Sequence, residues 1–415
     1  MEQFSESKYA EMLERIFRLS PSVQSKGFSA DAYKPGLDAM RRFDDALGNP
    51  WRSYRIIHVA GTNGKGSVCS MITASLAASG FVVGLYTSPH ISDFRERCRI
   101  VGRNGSRLIE KEKVWEFFQT FNTEGLSFFE ITTGLALWWF ARKKVDYAVI
   151  ETGLGGRLDS TNIITPVLSI ITSIGLDHCA ILGNTRSAIA AEKAGIFKSG
   201  VPALAGDDDA EVSPVFEAKA SAVGAHLFYA AGVRTPDIAA HDLDSPMWEQ
   251  NLRIVSKAFE ILGVSLNPDG IAHTKSLTAF RGRWDCVSKN PEIITDIGHN
   301  SAALSHNFER LVRSGRPLII VFGIMADKDL DSIAPLMPSD ATYILCAPAC
   351  SRSLNAEELL RRLAVLRPGL QLKAAESVSA AVAEAIELAK SLDNPLIYAG
   401  GSTFVVSEAF EYLGI

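Results

Sequence analysis

The sequence predicts an α/β protein with two sheet-containing domains, and three observations lead to this fold class. From about residue 55 onward, short runs rich in Val, Ile and Leu alternate with segments whose apolar residues recur at helical spacing. These runs show little polar alternation, which is typical of parallel strands covered by helices on both faces. A chain of 415 residues is also long enough for two domains with separate cores.

A weakly patterned stretch over residues 205–246 interrupts this alternation, which restarts at Glu292. We therefore predict a larger domain with a parallel sheet over residues 1–284. A smaller, Rossmann-like α/β domain is predicted over residues 285–415.

The individual elements follow from the same pattern in chain order. After two N-terminal helices, the larger domain is predicted to contain strands over residues 54–60, 81–87, 147–151 and 167–172. Its predicted helices cover residues 68–78, 112–121, 131–143, 185–197 and 248–262. Asn184-Thr185 is a suitable N-terminal cap for the helix over 185–197. In the smaller domain we predict strands over residues 293–297, 318–323, 341–346, 370–374 and 396–399, with helices such as 356–364 and 378–391 between them.

Composition and charge exclude several classes of protein. Charged residues make up 21% of the chain and the formal net charge is −5, so there is no basic footprint for nucleic acid. The N-terminus is acidic and amphipathic, unlike a signal peptide, and no apolar run reaches the roughly 18 residues of a membrane span. The six cysteines form no metal-type C-x₂-C pair, which suits a reducing compartment. We expect a cytoplasmic monomer that binds neither nucleic acid nor membranes.

The most distinctive motif joins the first predicted strand to a helix through a glycine-rich turn, Gly61-Thr62-Asn63-Gly64-Lys65-Gly66-Ser67. In such a turn, backbone N–H groups surround a polyphosphate, a lysine meets its outer charges, and a hydroxyl approaches Mg²⁺. The spacing departs from Walker A, because Gly66 stands between Lys65 and Ser67 and only Thr62 and Asn63 separate the first two glycines. The motif predicts a P-loop nucleotide site in the larger domain.

Polar residues also end the other predicted strands of this domain. The second strand leads to Ser88 and His90, the third ends at Glu151 before a run of glycines, and the fourth leads to Asp177-His178. Because ligands collect at the carboxyl ends of parallel strands, these side chains are expected at one edge of the sheet. An acid that closes an apolar strand is costly to bury unless a cation meets it, so Glu151 predicts a site for the Mg²⁺ that accompanies a triphosphate.

Together these motifs resemble the folylpolyglutamate synthases and related dihydrofolate synthases of the Mur ligase superfamily. The resemblance extends over nearly the whole chain. It rests on the glycine-rich loop and on the following segments: Thr87-Ser88-Pro89-His90, Glu151 with residues 153–159, Asp177-His178, residues 192–196, Gly282-Arg283, residues 296–300, residues 323–329 and Gly401-Ser402. It implies a Mur ligase architecture and an ATP-dependent ligase that adds L-glutamate to dihydropteroate, to reduced folates, or to both.

The resemblance also implies roles for residues around the nucleotide. Ser88, Glu151 and His178 would hold Mg²⁺, and Lys193 would become a carbamate that reaches a second Mg²⁺. The loop from Gly61 to Ser67 would surround the phosphates of ATP, and the further nucleotide contacts would come from Asn251, Arg283 and Asp296. We take Lys65, Lys193 and His299 as the candidate catalytic residues.

Substrate contacts follow from the same resemblance. Phe128-Phe129-Glu130 and the segment that ends at Arg97 match the lining of the pterin pocket. His299 and the turn with Asp327 and Lys328 are candidates for placing glutamate, and Ser402 lies in the matching final turn. The expected reaction passes through an acyl phosphate, because a carboxylate resists direct attack by an amine.

Three alternatives are weaker. A peptidoglycan-precursor ligase of the same superfamily would carry a UDP-sugar domain ahead of the loop, where this chain has about 55 residues. A P-loop switch or transport ATPase would place Ser or Thr directly after Lys65 and would need no second α/β domain. A degenerate binding protein would not be expected to keep the complete set of ligand residues.

Overall fold

The computed structural model describes residues 3–20, 36–238, 240–245 and 247–415. The chain divides into two compact units. The first unit comprises Met1–His90, Phe94–Asp242 and Trp248–Phe280, and the second comprises Ile91–Asp93, Leu243–Met247 and Arg281–Ile415. Among the residues described, none of the helices combines the length and apolar character needed to cross a membrane.

The strands and helices are numbered in chain order. The strands are β1 Arg55–Ala60, β2 Val83–Tyr86, β3 Cys98–Gly102, β4 Gly105–Leu108, β5 Tyr147–Glu151, β6 Leu168–Ile171, β7 Ala203–Ala205, β8 Leu227–Tyr229, β9 Asp285–Lys289, β10 Glu292–Asp296, β11 Leu318–Phe322, β12 Ala341–Leu345, β13 Gln371–Ala374 and β14 Leu396–Gly400. The α-helices are α1 Glu6–Leu19, α2 Asp38–Leu47, α3 Lys65–Ala78, α4 Lys111–Thr120, α5 Phe128–Arg142, α6 Cys179–Leu182, α7 Arg186–Ala194, α8 Ser213–Val223, α9 Trp248–Leu262, α10 Pro268–Ala272, α11 Thr274–Thr278, α12 Ser301–Arg313, α13 Leu330–Ile333, α14 Ala356–Leu366, α15 Val378–Ala389 and α16 Thr403–Leu413.

The first unit contains an eight-stranded sheet in the order β4-β3-β2-β5-β1-β6-β7-β8. From β2 to β8 the neighbouring strands are parallel, whereas β3 and β4 extend the sheet as an antiparallel hairpin. In the central register, Val59 pairs with Glu151 and Ala60 pairs with Ile171. The carboxyl ends of β1, β5 and β6 therefore lie side by side, and the loops that follow them share one edge.

Both faces of this sheet are covered, which explains the apolar character of its central strands. On one face, aromatic residues of α5 such as Trp139 and Phe140 form the largest core cluster. On the same face, farther along the sheet, α7 and α8 contribute Ile189 and Phe216 to a second cluster. The opposite face is covered by α3 and α9. The helix α3 is buried along most of its length, and small residues allow α10 to approach it, because a Cβ on Gly270 would lie 2.6 Å from the carbonyl oxygen of Ala74.

The second unit is built on a six-stranded sheet in the order β13-β12-β11-β14-β10-β9, in which only β9 is antiparallel to its neighbour among the described strands. Gly400 at the end of β14 pairs with Asp296 of β10 on one side and with Phe322 of β11 on the other. The two faces carry separate apolar clusters, one around Phe308 and one around Val382. This is the mixed α/β architecture that the sequence predicts for two sheet-containing domains.

Several elements were not predicted from the sequence. The hairpin of β3 and β4 is missing from the prediction because its strands are short, β3 contains the buried Arg99, and β4 carries polar residues at half-buried or exposed positions. The stretch over residues 205–246, which showed weak patterning, contains α8 and β8. Pro214 in the first turn of α8 is a common helix-start signal that could have revealed it.

Candidate active site

The glycine-rich loop connects β1 to α3 and packs closely against its neighbours. Gly61 has φ +150°, and a Cβ there would lie 1.9 Å from the hydroxyl oxygen of Thr172. Gly64 caps α3 with φ +84°, and a Cβ there would lie 2.6 Å from Oδ1 of Asn251. Both positions therefore require glycine, for backbone conformation and for space.

The loop presents its backbone donors at the start of α3. The N–H groups in the first turn of a helix have no intrahelical acceptor, and the helix dipole places partial positive charge there. The N–H of Thr62 donates to the carbonyl of Ser173 (2.7 Å) and the N–H of Asn63 donates to the Ser173 hydroxyl (3.1 Å). The N–H groups of residues 64–67, in the first turn of α3, are therefore the donors best suited to a phosphate, and contacts from residues 61–63 stay a prediction.

Two lysines meet at the carbonyl oxygen of Gly61. Lys65 Nζ donates to it at 3.0 Å and also to the carbonyl of Thr62 at 3.1 Å. Lys193 Nζ, which comes from α7, donates to the same Gly61 oxygen at 2.8 Å and is buried. Burial, together with the charge of Lys65, lowers the pKa of Lys193 to about 7. A large fraction of Lys193 is therefore neutral near pH 7, the state in which an amine can react with CO₂.

Glu151 and Ser88 meet where β5 and β2 end. The backbone N–H of Ser88 donates to Oε2 of Glu151 at 3.1 Å, and the Glu151 side chain is buried. A Cβ on Gly66 would lie 3.6 Å from the same carboxylate oxygen. The structure thus brings the predicted metal ligands Ser88 and Glu151 to the glycine-rich loop. Carboxylate and hydroxyl oxygens are suitable ligands for Mg²⁺.

His178 lies at the end of the loop over residues 172–178, which follows β6. It adopts a left-handed backbone conformation with φ 52°, and its Nε2 is 3.8 Å from Oδ2 of Asp177. The loop is tied to the glycine-rich turn, since the Thr62 hydroxyl donates to the carbonyl of Gly175 at 3.1 Å and accepts from the Gly175 N–H at 3.0 Å. His178 therefore lies on a segment that is hydrogen-bonded to the glycine-rich loop.

The side-chain amide of Asn251 makes no hydrogen bond with the described residues. It lies on α9, is buried, and neither of its amide atoms has a hydrogen-bond partner among the described residues. Its oxygen is the atom nearest to the Cβ position of Gly64. A buried amide without partners is rare and costs free energy unless a ligand supplies the hydrogen bonds. Its position beside the loop fits a nucleotide, as do the glycines and the oxygen ligands of this edge.

The predicted pterin-pocket residues lie near the start of α5. Arg97 is buried, donates from Nε to Nδ1 of His90 at 2.9 Å, and lies 5.2 Å from the ring centre of Phe128. The ring of Phe129 lies 5.9 Å from Tyr86, and a Cβ on Gly153 would lie 2.6 Å from it. Two of the predicted aromatic residues and Arg97 are thus in the same region as the loop that follows Glu151.

Glu130, the third residue of that predicted segment, is part of a helix cap. Its Oε2 accepts hydrogen bonds from the Ser127 N–H (2.7 Å) and the Ser127 hydroxyl (2.9 Å), and the Ser127 hydroxyl accepts from the Glu130 N–H. This is a capping box at the start of α5. The structure therefore gives the Glu130 carboxylate a structural role, and contact with a substrate stays a prediction.

The predicted residues of the second unit follow three adjacent strands. Asp296 ends β10, where its two carboxylate oxygens accept from the N–H groups of Trp284 (2.8 Å) and Gly298 (2.7 Å). His299 is close by, with Nδ1 3.0 Å from the Ile297 carbonyl.

The remaining predicted residues of this unit lie after β11, after β14 and just before β9. Ser402 follows β14 and caps α16 by accepting from the Val405 N–H. Asp327 and Lys328 follow β11, and Asp327 accepts from Nη2 of Arg352 at 2.6 Å. Arg283 lies half-buried just before β9. All of these except Arg283 come from the carboxyl ends of β10, β11 and β14, which are neighbours in the sheet.

The sequence analysis assigned no role to Asp159, although it lies within one of the quoted motifs. Its buried carboxylate accepts from the N–H groups of Gly153 and Leu154, both at 2.8 Å, and from the N–H and hydroxyl of Thr161. It thereby fixes the loop that follows Glu151. The Asp-x-Thr spacing, typical of a side chain that bonds its own backbone two residues on, is the signal that could have indicated this.

Comparison with known proteins identifies the family. Residues 59–270 match the Mur ligase middle domain and residues 282–401 match the glutamate ligase domain of Mur ligases. The chain belongs to the Mur ligase family. This ligase is 32% identical over 378 residues to the dihydrofolate synthase/folylpolyglutamate synthase of Escherichia coli, with 86% of each chain covered. It is also 31% identical over 408 residues to a probable bifunctional folylpolyglutamate synthase/dihydropteroate synthase of Haloferax volcanii, of which it spans 48%.

Solved structures give the same result for the fold. An E. coli relative in complex with DHPP and ADP superimposes with a TM-score of 0.82 at 28% identity, covering 98% of this chain and 97% of that one. A bifunctional folylpolyglutamate synthase/dihydrofolate synthase with Mn, AMPPNP and L-glutamate bound gives 0.80 at 27% identity, covering 98% of both. The predicted fold class and family are confirmed, and the ligase is placed with the ATP-dependent folate-type enzymes of the family rather than with non-ligase ATPases.

Proposed function

We propose that this ligase joins L-glutamate, in amide linkage, to dihydropteroate and to the glutamyl tail of reduced folates, with hydrolysis of ATP to ADP and phosphate. The observation that carries the proposal is the buried Asn251 amide, which lies against Gly64 of the glycine-rich loop without a partner among the described residues. Solved relatives that hold DHPP, ADP, AMPPNP and L-glutamate support the same substrate classes for this chain.

In this proposal the glycine-rich loop binds the phosphates of ATP. The N–H groups of residues 64–67 face the phosphates, and the ammonium of Lys65 moves from the Gly61 carbonyl to the transferring phosphoryl group. Asn251 supplies its amide to the nucleotide from α9. Arg283 and Asp296 of the second unit are the further proposed nucleotide contacts.

The residues at the edge of the first sheet fit a divalent metal ion. Ser88, Glu151 and His178 would hold one Mg²⁺, and Lys193 as a carbamate would contribute to a second. Mg²⁺, when bound, neutralises negative charge on the phosphates during phosphoryl transfer. The buried, partly neutral amine of Lys193 suits carbamate formation, because the nucleophile is the uncharged amine.

The proposed reaction has two bond exchanges. The acceptor carboxylate attacks the γ-phosphorus of ATP, which gives an acyl phosphate and ADP. The α-amine of glutamate then attacks the acyl carbon, loses a proton, and displaces inorganic phosphate as the amide forms. Lys65 stabilises the charge on the phosphoryl group during the first exchange. The acyl phosphate is reactive toward water, so the site must exclude solvent while it exists.

Substrate contacts are proposed for residues in both units. Phe128 and Phe129 provide an aromatic surface for the pterin, with Arg97 beside it, while Glu130 would act only through its cap. For glutamate we propose His299, Asp327, Lys328 and Ser402. The ammonium of Lys328, the imidazole of His299 and the hydroxyl of Ser402 are suited to the carboxylates of glutamate, and the carboxylate of Asp327 is suited to its amino group.

We also propose that the ligase is a cytoplasmic monomer. All six cysteines are described, and no two of them form a disulfide, which supports a reducing compartment. Sedimentation velocity of the purified protein measures the oligomeric state directly, and a concentration-independent dimer would contradict the monomer.

The decisive experiment is phosphate release from ATP with L-glutamate and each acceptor in turn. We expect release with dihydropteroate and with tetrahydrofolate, and mass spectrometry should show one added glutamyl group in each product. Turnover on tetrahydrofolate alone would reduce the proposal to folylpolyglutamate synthesis. Phosphate release that is independent of glutamate would contradict ligase activity altogether.

A further inference from the structure

A half-buried side chain outside the predicted site, Asp207, holds the loop that leads to His178. Asp207 follows β7, in the acidic run Asp207-Asp208-Asp209 to which the proposed function gives no role. Its Oδ2 accepts from the N–H of Ile174 at 2.6 Å, and its Oδ1 accepts from Nε2 of Gln250 at 3.2 Å. Hydrogen bonds to an ionised group are stronger than those between neutral groups.

Arg186 binds the carbonyl of Ile174, the residue whose N–H is bound by Asp207. Its Nε donates to the Ile174 carbonyl at 3.1 Å, and its Nη2 lies 3.8 Å from Oδ2 of Asp207 and 2.6 Å from Oδ2 of Asp209. The N–H and the C=O of Ile174 are therefore both bound by members of one ion-pair cluster. Ile174 itself is buried, so water cannot readily replace these partners.

The backbone around Asp207 has little freedom. A Cβ on Gly206 would lie 2.0 Å from the carbonyl oxygen of Thr172, and the Gly206 N–H donates to the Ile171 carbonyl at 2.8 Å. The backbone after β7 thus packs closely against the beginning of the loop over residues 172–178. This contact fixes the distance between Asp207 and Ile174.

Asp207 contacts residues of three elements that carry proposed site residues. Ile174 lies in the loop that leads to His178, and Gln250 precedes Asn251 on α9. Arg186 is the first residue of α7, the helix that carries Lys193. The loop is also bonded to the glycine-rich turn through Thr62 and Gly175. A displacement at Ile174 would therefore reach both the metal-binding side chain and the phosphate loop.

We propose that Asp207 is a positioning residue that fixes the loop over residues 172–178 relative to α7 and α9, and thereby sets the geometry for metal and ATP binding. The effect on ligand binding rests on the proposed function. The effect on the loop does not, because it can be measured in the protein without ligands.

The test compares Asp207→Ala with Asp208→Ala. Asp208 is the adjacent acid and is exposed, with a single described hydrogen bond, from the Ser213 hydroxyl. In ligand-free protein we expect amide hydrogen exchange over residues 172–178 to be faster by about tenfold or more in Asp207→Ala, since a charge-assisted hydrogen bond is lost, and unchanged in Asp208→Ala. Unchanged exchange in Asp207→Ala, or equal acceleration in both variants, would overturn the proposal.

Activity provides the second readout. Asp207→Ala should raise the KM for ATP and the Mg²⁺ concentration for half-maximal rate about tenfold, with kcat at saturation lowered less than about threefold. Asp207→Asn, which keeps one acceptor oxygen, should be intermediate in both readouts. A loss confined to kcat would overturn the positioning role.

If Asp207→Ala does not fold, the same comparison can be made with Asp207→Asn and Gln250→Ala. An inactive wild type with fast exchange in Asp207→Ala would remove the proposed function and leave the loop inference intact.

Discussion

At the scale of single residues, Lys193 shows how burial can prepare a side chain for chemistry. Its ammonium is removed from water and lies beside Lys65 at the Gly61 carbonyl, and both effects lower its pKa to about 7. Asp177 and Asp159 oppose the shift without cancelling it. The amine is mostly protonated below about pH 7 and mostly neutral above it, so carbamate formation should increase as the pH rises through that value.

We predict that Lys193→Ala lowers ligase activity about 100-fold, as expected for loss of a group at a metal site, with partial rescue by a small carboxylic acid. Isotope-labelled bicarbonate should be incorporated at Lys193 more strongly at about pH 8 than at about pH 6. Lys198 is the control, because burial also lowers its pKa, to about 8. Its Nζ donates to the backbone carbonyl of Asn162, whereas that of Lys193 donates to Gly61 of the glycine-rich loop. Lys198→Ala should keep near-normal activity. Full activity of the wild type after exhaustive CO₂ removal, with no label at Lys193, would contradict the prediction.

At the scale of elements, the strand–loop–helix unit of β1 and α3 depends on two glycines for different reasons in the same turn. At position 61 a side chain would collide with Thr172, and at position 64 it would collide with Asn251. The second contact matters for function, because Asn251 is buried and cannot easily move aside.

We predict that Gly64→Ala weakens ATP binding by about tenfold or more and lowers the free energy of unfolding by about 1–2 kcal/mol for the left-handed backbone. Gly200→Ala is the matched control, because Gly200 also has a positive φ, +70°, but a Cβ there meets nothing within 4 Å. It should lose similar stability and retain ATP affinity. Titration calorimetry with an ATP analogue and urea unfolding measure the two effects. Equal ATP affinity in both variants would show that the contact with Asn251 is unimportant.

Sequence patterns predicted the elements that are buried on both faces. The strands β1, β2, β5 and β6 are short apolar runs, and their carboxyl ends share an edge because parallel strands with helical crossovers require it. This is why Ser88, Glu151 and the glycine-rich loop could be predicted to converge. The hairpin of β3 and β4 escaped prediction because its pairing, not an apolar pattern, defines it.

Contacts between distant loops could not be predicted in the same way. Thr62 and Gly175 are 113 residues apart in the chain, and the Thr62 hydroxyl bonds to the N–H and the carbonyl of Gly175, which are groups of the ordinary backbone. The same holds for Asp207, whose partners at Ile174 and Gln250 lie in other elements. No local spacing encodes such pairs, so the sequence indicates which residue types reach the edge but not which groups hold the loops in place.

At the scale of the whole molecule, the first unit contains a histidine whose ionisation is coupled to folding. His58 is fully buried on β1, with Nε2 2.8 Å from the hydroxyl oxygen of Thr161. The Thr161 hydroxyl donates to Oδ1 of Asp159 at 2.5 Å, so it accepts from His58 and the proton of the neutral ring is on Nε2. Nδ1 is buried and has no hydrogen-bond partner among the described residues.

Protonation of His58 would therefore place an unpaired charge inside the first unit. Burial, with a smaller contribution from the charge of Lys198, lowers the pKa of His58 to about 3 from an ordinary value of 6.5. In the unfolded chain the ring binds a proton below about pH 6.5, while in the folded chain it does not until about pH 3. The contribution of neutral His58 to the free energy of unfolding is thus fully present above pH 6.5. It decreases as the pH falls toward 3, by about 1.4 kcal/mol per pH unit.

We predict that the free energy of unfolding of the first unit falls by about 2 kcal/mol more in the wild type than in His58→Gln when the pH is lowered from about 6.5 to about 5. Glutamine can still donate to Thr161 but does not titrate. His226→Gln is the control, because His226 also lies in the first unit but is exposed, and its replacement should leave the wild-type pH dependence nearly unchanged. Urea unfolding followed by tryptophan fluorescence at both pH values measures the slopes. Equal slopes for the wild type and His58→Gln would mean that His58 accepts a proton in the folded state, and that the bond from Nε2 to Thr161 does not fix its neutral form.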